Sequence, residues 1–361
     1  MKIRFNAKEA QYRAHQEGFD KLLVQSVHNE TLIGAENVAK LENALARYIG
    51  TDEAIVCNNQ FNAFVLLLMV LGLKAGDEVI TSPLASGIAV EAILFMGGRP
   101  VFVDIDEAGY TIDVAQIEDA ITERTKIIIP VSLFGRCPEM ETINTLALQH
   151  DICVIEDAAQ SFGSQYQGSR SCNLSKLATT SFHPDMPLSA YGNGAALFIQ
   201  DAALRAKARK LLALGREKKA FTHVGIDAAL DELQAAVVEY KLSLFDDETD
   251  RRRSMHQHYT QRLKEQLITT PQTDSESNFA YYPVCCEDRE LLADRLHKAG
   301  IETRIPFQNP LHLHKAFTPL DYRKGDFPKA EKVCNMLLLL PLHAYMSKDD
   351  QEQVIKEVLK E

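Results

Sequence analysis

The sequence predicts an α/β protein built on a doubly wound, mainly parallel sheet, with a second and smaller domain after it. Three observations lead there. Between about 50 and 200, short β-rich runs alternate with helical stretches, the order of a sheet with crossover helices. Most of those runs are apolar almost throughout, as strands covered on both faces must be. After 245 the pattern changes to a separate α+β arrangement, which sets expected domains of 1–245 and 246–361.

The strands are expected at 53–58 (EAIVCN), 77–82 (DEVITS), 99–105 (RPVFVDI), 126–133 (KIIIPVSL), 152–157 (ICVIED) and 195–200 (AALFIQ). Helices are expected between them at 61–73, 86–97, 113–123 and 138–149. The segment 230–268 reads as one long helix whose charged run DDETDRRR (246–253) is a solvated face. Beyond it come a strand at 279–286, a helix from 289, a short strand IETRIPF (301–307) and a final helix.

With 361 residues the chain buries a substantial core. A formal net charge of −11 argues against a nucleic-acid or anionic-membrane surface. The longest apolar run, AFVLLLMVLGL (63–73), is too short to span a bilayer and reads as a buried helix. There is no apolar leader after Met1, and the seven cysteines are scattered without a C-x-x-C pair. Both features point to reduced thiols in the cytoplasm.

In open α/β sheets ligands bind beyond the carboxyl ends of the strands. Glu156-Asp157 ends one strand, with Gln160 just after it, and Ser132, Phe134 and Gly135 follow another. Alone, Asp157 reads equally well as a cap for the next helix. The loop SFHPDMPLSAYG (181–192) is stiffened by Pro184 and Pro187 and is expected to follow a polar helix. It displays Met186, which is neither a nucleophile nor a base.

Taken in order, LKAGDEVI, RPVFVDID, IPVSLFGRCPEM, VIEDAAQSFGS, SCNLSKLATTSF, LDELQAA, PLHLHKAF and LPLHAYMS cover nearly the whole chain. This series resembles the DegT/DnrJ/EryC1/StrS family of pyridoxal-phosphate nucleotide-sugar aminotransferases, and most closely its branch acting on 3-keto nucleotide sugars for bacterial surface polysaccharide. The resemblance implies the aspartate-aminotransferase fold (fold type I), with a seven-stranded type of sheet, a small C-terminal domain and a dimer with shared active sites. It implies that Asp157 pairs with the cofactor's pyridine nitrogen, that Gln160 lies beside the cofactor and that Ser181 contacts its phosphate. Substrate positions are expected at Ser132, Phe134, Tyr191 and His312. His312 and His314 have no ligand-forming neighbours in sequence, so no metal site is expected.

The chain departs from the family at the residues that carry the chemistry. The family loop resembles S-F-[FH]-P-S-K-[NP]-L-x-x-Y-G, whose lysine forms the Schiff base with pyridoxal phosphate; here Asp185 and Met186 stand in place of Ser-Lys. A thioether forms no imine and accepts no proton at neutral pH. His183 belongs to the ordinary loop pattern. Where the family carries N-G-T at the helix cradling the phosphate, this chain has Asn59-Gln60-Phe61. Gln60 adds bulk and Phe61 removes a hydroxyl. Ser86 replaces the aromatic that stacks on the ring, and Asp227 replaces a neutral phosphate donor from the partner subunit. These losses imply weak or absent binding of pyridoxal or pyridoxamine phosphate, and a pseudo-aminotransferase as the leading expectation. Such a protein serves as a non-catalytic or regulatory subunit, a homodimer or a heterodimer with an active paralogue, and retains at most a nucleotide sugar. Two alternatives stand beside it. One is an enzyme using either cofactor form with altered chemistry. The other is a true aminotransferase with glutamate as amino donor, its lysine supplied by Lys176, Lys218 or Lys219.

Overall fold

The computed structural model describes residues 2–28, 32–33, 36–217, 220–263 and 276–360; the expectation for Lys218 and Lys219 therefore lies outside the described residues. Three helices that the apolar pattern did not announce precede the sheet: α1 (Lys8–Ala14), α2 (Gln16–Val27) and α3 (Glu36–Ile49). The sheet strands then alternate with helices as expected, through β1 (Ala54–Cys57), α4 (Gln60–Leu71), β2 (Glu78–Thr81), α5 (Ile88–Phe95), β3 (Arg99–Phe102) and β4 (Thr125–Ile128). Next come α6 (Met140–Gln149), β5 (Cys153–Asp157), a small hairpin of β6 (Gln165–Tyr166) and β7 (Ser169–Arg170), β8 (Leu177–Ser181), β9 (Ala195–Ile199) and α7 (Ala202–Leu212).

Seven strands form one sheet in the order β1-β9-β8-β5-β4-β2-β3. The pairs from β8 to β3 are parallel, and β9 is antiparallel to both β1 and β8. The strands read as buried on both faces because helices cover both; α4 is itself almost wholly buried against the sheet. Asn59 caps that helix through its side chain, and Gly72 ends it in the left-handed conformation with a Schellman pair of bonds, Gly72 N–H to Met69 and Leu73 N–H to Leu68.

Three expectations are corrected. Residues 113–123 form two single 3-10 turns, Val114–Gln116 and Glu118–Ala120, instead of a helix. The segment is rich in β-branched residues, and Asp113 bonds the Ala115 N–H and Lys329, which favours a turn. The lysine-type loop follows β8, not a polar helix. That strand escaped notice because its hydroxyls are satisfied internally, Thr179 on the Ala196 carbonyl and Thr180 on that of Ala158. The 301–307 segment makes only isolated bridges, Ile301 to Ile3 and Arg304 to Leu339.

A short hairpin follows, β10 (Arg216–Glu217) with β11 (Ala220–Phe221), and then α8 (Glu232–Leu263), a continuous helix that crosses position 245. The C-terminal part pairs β12 (Tyr282–Cys285) with β13 (Leu337–Leu340), flanked by α9 (Arg289–Lys298), α10 (Pro328–Met336) and α11 (Lys348–Val358). Among the described residues no helix is long and apolar enough to cross a membrane.

Candidate functional site

Because β4, β5 and β8 are parallel neighbours, their carboxyl ends lie side by side. A cavity of about 250 Å³ opens there, with Asp157 from the end of β5, Ser181 from the end of β8 and Met186 from the loop beyond it. Gln60 and Phe61 reach it from the first turn of α4, and Ser86 from the loop before α5. Gln160 and His183 also line it, so the sheet topology gathers these eight sequence-selected residues into one cleft.

Asp157 is only 3% exposed. Its Oδ1 accepts hydrogen bonds from the Gln60 side-chain amide at 2.8 Å and the Ala159 N–H at 3.2 Å. Burial pushes its carboxyl up to about 6 despite those donors. The neighbouring Glu156, also buried, points to the loop at 171–174. It accepts from the Ser171 hydroxyl at 2.7 Å and from the N–H groups of Cys172 and Leu174. Burial lifts it to about 7, and its role is to hold that loop.

The other residues are tied locally. Gln160 Oε1 accepts the Phe134 N–H at 2.9 Å, which fixes Phe134 in a left-handed turn with φ 53. Ser181 Oγ accepts the His183 N–H at 3.2 Å. Phe61 packs edge-on against Phe95, with centroids 5.6 Å apart.

No lysine lines this cavity among the described residues. Met186 forms part of its wall and also part of the wall of a second, more polar cleft of about 110 Å³ between the loop, the N-terminal segment and the C-terminal unit. Lys8 lines that second cleft, where it pairs with Asp185 at 3.6 Å. Lys176 is exposed and lines neither. Asp185 also receives both outer nitrogens of Arg304, at 2.9 and 3.0 Å, while the Tyr281 hydroxyl donates to its carbonyl at 3.0 Å. Partial burial raises the Asp185 carboxyl, but Arg304, Lys8 and His183 outweigh it and leave it below the usual carboxylate range. Asp185 thus clamps the loop to the C-terminal unit.

Four of the residues proposed for substrate lie outside the cavity lining. Ser132 is fully buried, and its hydroxyl has no partner among the described residues. Phe134 reaches the site indirectly, through its N–H on Gln160 and through Tyr281, which packs on its ring and contacts Met186. Tyr191 packs on Phe19, with the Lys241 ammonium 4.2 Å from its ring centroid. His312 is buried on Phe327 and bonds Glu331 at 3.1 Å. Asp227 is exposed and makes a backbone bridge to Ala213. No cluster of three or more metal-ligating side chains exists among the described residues. Sequence reasoning missed the Gln60–Asp157 pair, whose partners are 97 positions apart, and the Asp185–Arg304 clamp.

The model of the DegT/DnrJ/EryC1/StrS aminotransferase family matches residues 14–359. The chain belongs to this family. It is 39% identical to a UDP-2-acetamido-2-deoxy-3-oxo-D-glucuronate aminotransferase of Pseudomonas aeruginosa, over 88% of this chain and 89% of the relative. It is 34% identical to a dTDP-3-amino-3,6-dideoxy-alpha-D-galactopyranose transaminase of Aneurinibacillus thermoaerophilus, over 91% and 90%. Among solved structures, DesV of S. venezuelae in complex with a ketimine intermediate superposes with a TM-score of 0.96 at 30% identity, covering 99% of this chain and 97% of that one. These likenesses establish the pyridoxal-phosphate aminotransferase type of fold for a mainly parallel α/β sheet.

A pyridoxal-type cofactor asks a protein for a lysine amine, a partner for the ring nitrogen and donors for its phosphate. This cleft presents a thioether on the loop, an acid that already holds an amide donor, and an α4 N-terminus that opens with the bulky Gln60 and Phe61. The residues present do not fit the group.

Proposed function

We propose that this protein is a pseudo-aminotransferase of nucleotide-sugar metabolism, a family member that keeps the scaffold and has lost the imine chemistry. The observation that carries the reading is the cleft wall itself. Met186 stands on the loop, no amine lines the cavity among the described residues, and the Gln60 amide already bonds the acid at the end of β5. The loop is held in this form by Asp185, whose charge is matched by Arg304 and Lys8. Its role is that of a cytoplasmic partner subunit, alone as a homodimer or beside a lysine-bearing relative, in building bacterial surface polysaccharide. A nucleotide sugar is the ligand class it retains.

The test is the absorbance of the purified protein mixed with pyridoxal phosphate, followed by borohydride reduction and peptide mass mapping. The expected spectrum is that of free aldehyde, with only the scattered, substoichiometric labelling that exposed amines give. A stoichiometric reduced adduct at one lysine refutes the proposal.

A second reading is favoured by one observation, the aminotransferase names carried by the relatives at 39% and 34% identity. On it the chain converts a keto sugar to an amino sugar with glutamate as donor, or uses pyridoxamine phosphate in altered chemistry. Turnover of a 3-keto nucleotide sugar with glutamate decides for it.

A further inference from the structure

The missing lysine explains why no covalent link forms at position 186, but it does not by itself keep a pyridoxamine-type cofactor out, because that form is held without an imine. We infer that Gln60 is the residue that closes the cleft to this class of ligand, acting as an internal substitute for the ring-nitrogen donor. The inference rests on the pseudo-aminotransferase reading and adds to it the residue that determines specificity.

The geometry is specific. Gln60 is the first residue of α4, so its backbone sits at the helix N-terminus, the end that favours a phosphate. Its side-chain amide donates at 2.8 Å to the buried carboxylate of Asp157. The side chain therefore links the N-terminus of α4 to the acid at the end of β5. It is enclosed rather than mobile at the surface, with Gln60 4% exposed. A ligand can reach the Oδ1 position only by displacing the amide, which leaves a buried donor without a partner.

A hydrogen bond to a charged group corresponds to roughly 10- to 100-fold in a binding constant. The experiment is equilibrium dialysis of pyridoxamine phosphate against the wild-type chain, Gln60→Ala, Gln60→Asn and Gln60→Ala/Asp157→Asn, all with Met186 in place. Asparagine is one methylene too short to span the same path but keeps a polar helix start, so it decides the matter if the alanine variant does not fold. The expected result is at least about 10-fold tighter binding in the single variants, with the gain lost in the double variant. Equal affinity in wild type and variants, whether tight or absent, overturns the inference, as does a gain that survives Asp157→Asn. Failure here is separable from failure of the functional reading. Tight pyridoxamine phosphate in the wild type with no lysine trapped stoichiometrically by borohydride sinks only the Gln60 inference, whereas a lysine so trapped sinks the reading beneath it.

Discussion

Replacing Gln60 by leucine removes the side-chain donor on Asp157 while keeping the volume close, and the consequence for stability depends on pH in a calculable way. In the folded chain burial lifts Asp157 to about 6, against an ordinary 3.8, and the Gln60 amide opposes the rise. At about 1.4 kcal/mol per unit, an ionised Asp157 costs the fold about 3 kcal/mol near neutral pH. The sign follows from proton counting. Between the two values the folded state binds more protons than the unfolded one, so this group's contribution to stability falls as pH rises from about 4 to 6. Gln60→Leu raises the folded value further and extends that fall to higher pH. The amide bond to a charged carboxylate is worth about 1.5–3 kcal/mol, and to a neutral acid about 1 kcal/mol. Urea unfolding followed by circular dichroism should therefore show a loss of about 2 kcal/mol at pH 8, shrinking to about 1 kcal/mol or less at pH 5. An equal loss at both pH values means that only packing was disturbed. No loss at pH 8 means that the amide does not support an ionised Asp157, and either result refutes the reasoning.

Met186→Lys alone is expected to yield no robust transamination, because Gln60, Phe61 and Ser86 still line the cleft; turnover from that single change shows the remaining losses to be unimportant. Asp185→Asn should loosen the loop from Arg304 at a cost of about 1 kcal/mol or less, since both partners are partly solvated. For the wild type that contribution is full above the ordinary carboxylate value and is lost as pH falls from there through the lowered folded value, which the difference between wild-type and variant melting temperatures across pH 2.5–6 will show. Glu156→Ala removes the acceptor of the Cys172 and Leu174 N–H groups, while Ser171 keeps Ser161, and should destabilise by about 2 kcal/mol or more in the same urea assay, whereas a loss under about 1 kcal/mol means the loop repacks.

Much of the scaffold was legible because its physics is local and periodic. The runs KIIIPVSL and ICVIED are mostly apolar and became β4 and β5, and DEVITS became β2 around Val79 and Ile80. AFVLLLMV, expected in a helix at 61–73, became α4, which Asn59 caps at its start and Gly72 ends. β8 was not legible, since two of its five residues are threonines whose hydroxyls find carbonyls on other segments. The turns at 114–120 were misread as helix because side-chain capping by Asp113 and a distant Lys329 outweighed weak helical propensity. Of the site residues, those at strand ends and on the loop came together as the sheet topology requires. Tyr191 and His312, chosen by resemblance, pack elsewhere.

The sequence by itself determined that SFHPDMPLSAYG carries no amine, since the identity of residue 186 needs no coordinates. It equally determined the α/β class, because short, mostly apolar runs alternate with helical stretches in the order of a sheet with crossover helices. Only the tertiary structure decided what meets Asp157. Gln60 and Asp157 lie 97 positions apart, and nothing local links an amide at the start of one helix to an acid at the end of a distant strand. Their pairing follows from α4 packing across β9 and β8, the strand beside β5, which brings its first turn to the strand ends and leaves the buried carboxylate to take the donor it finds there.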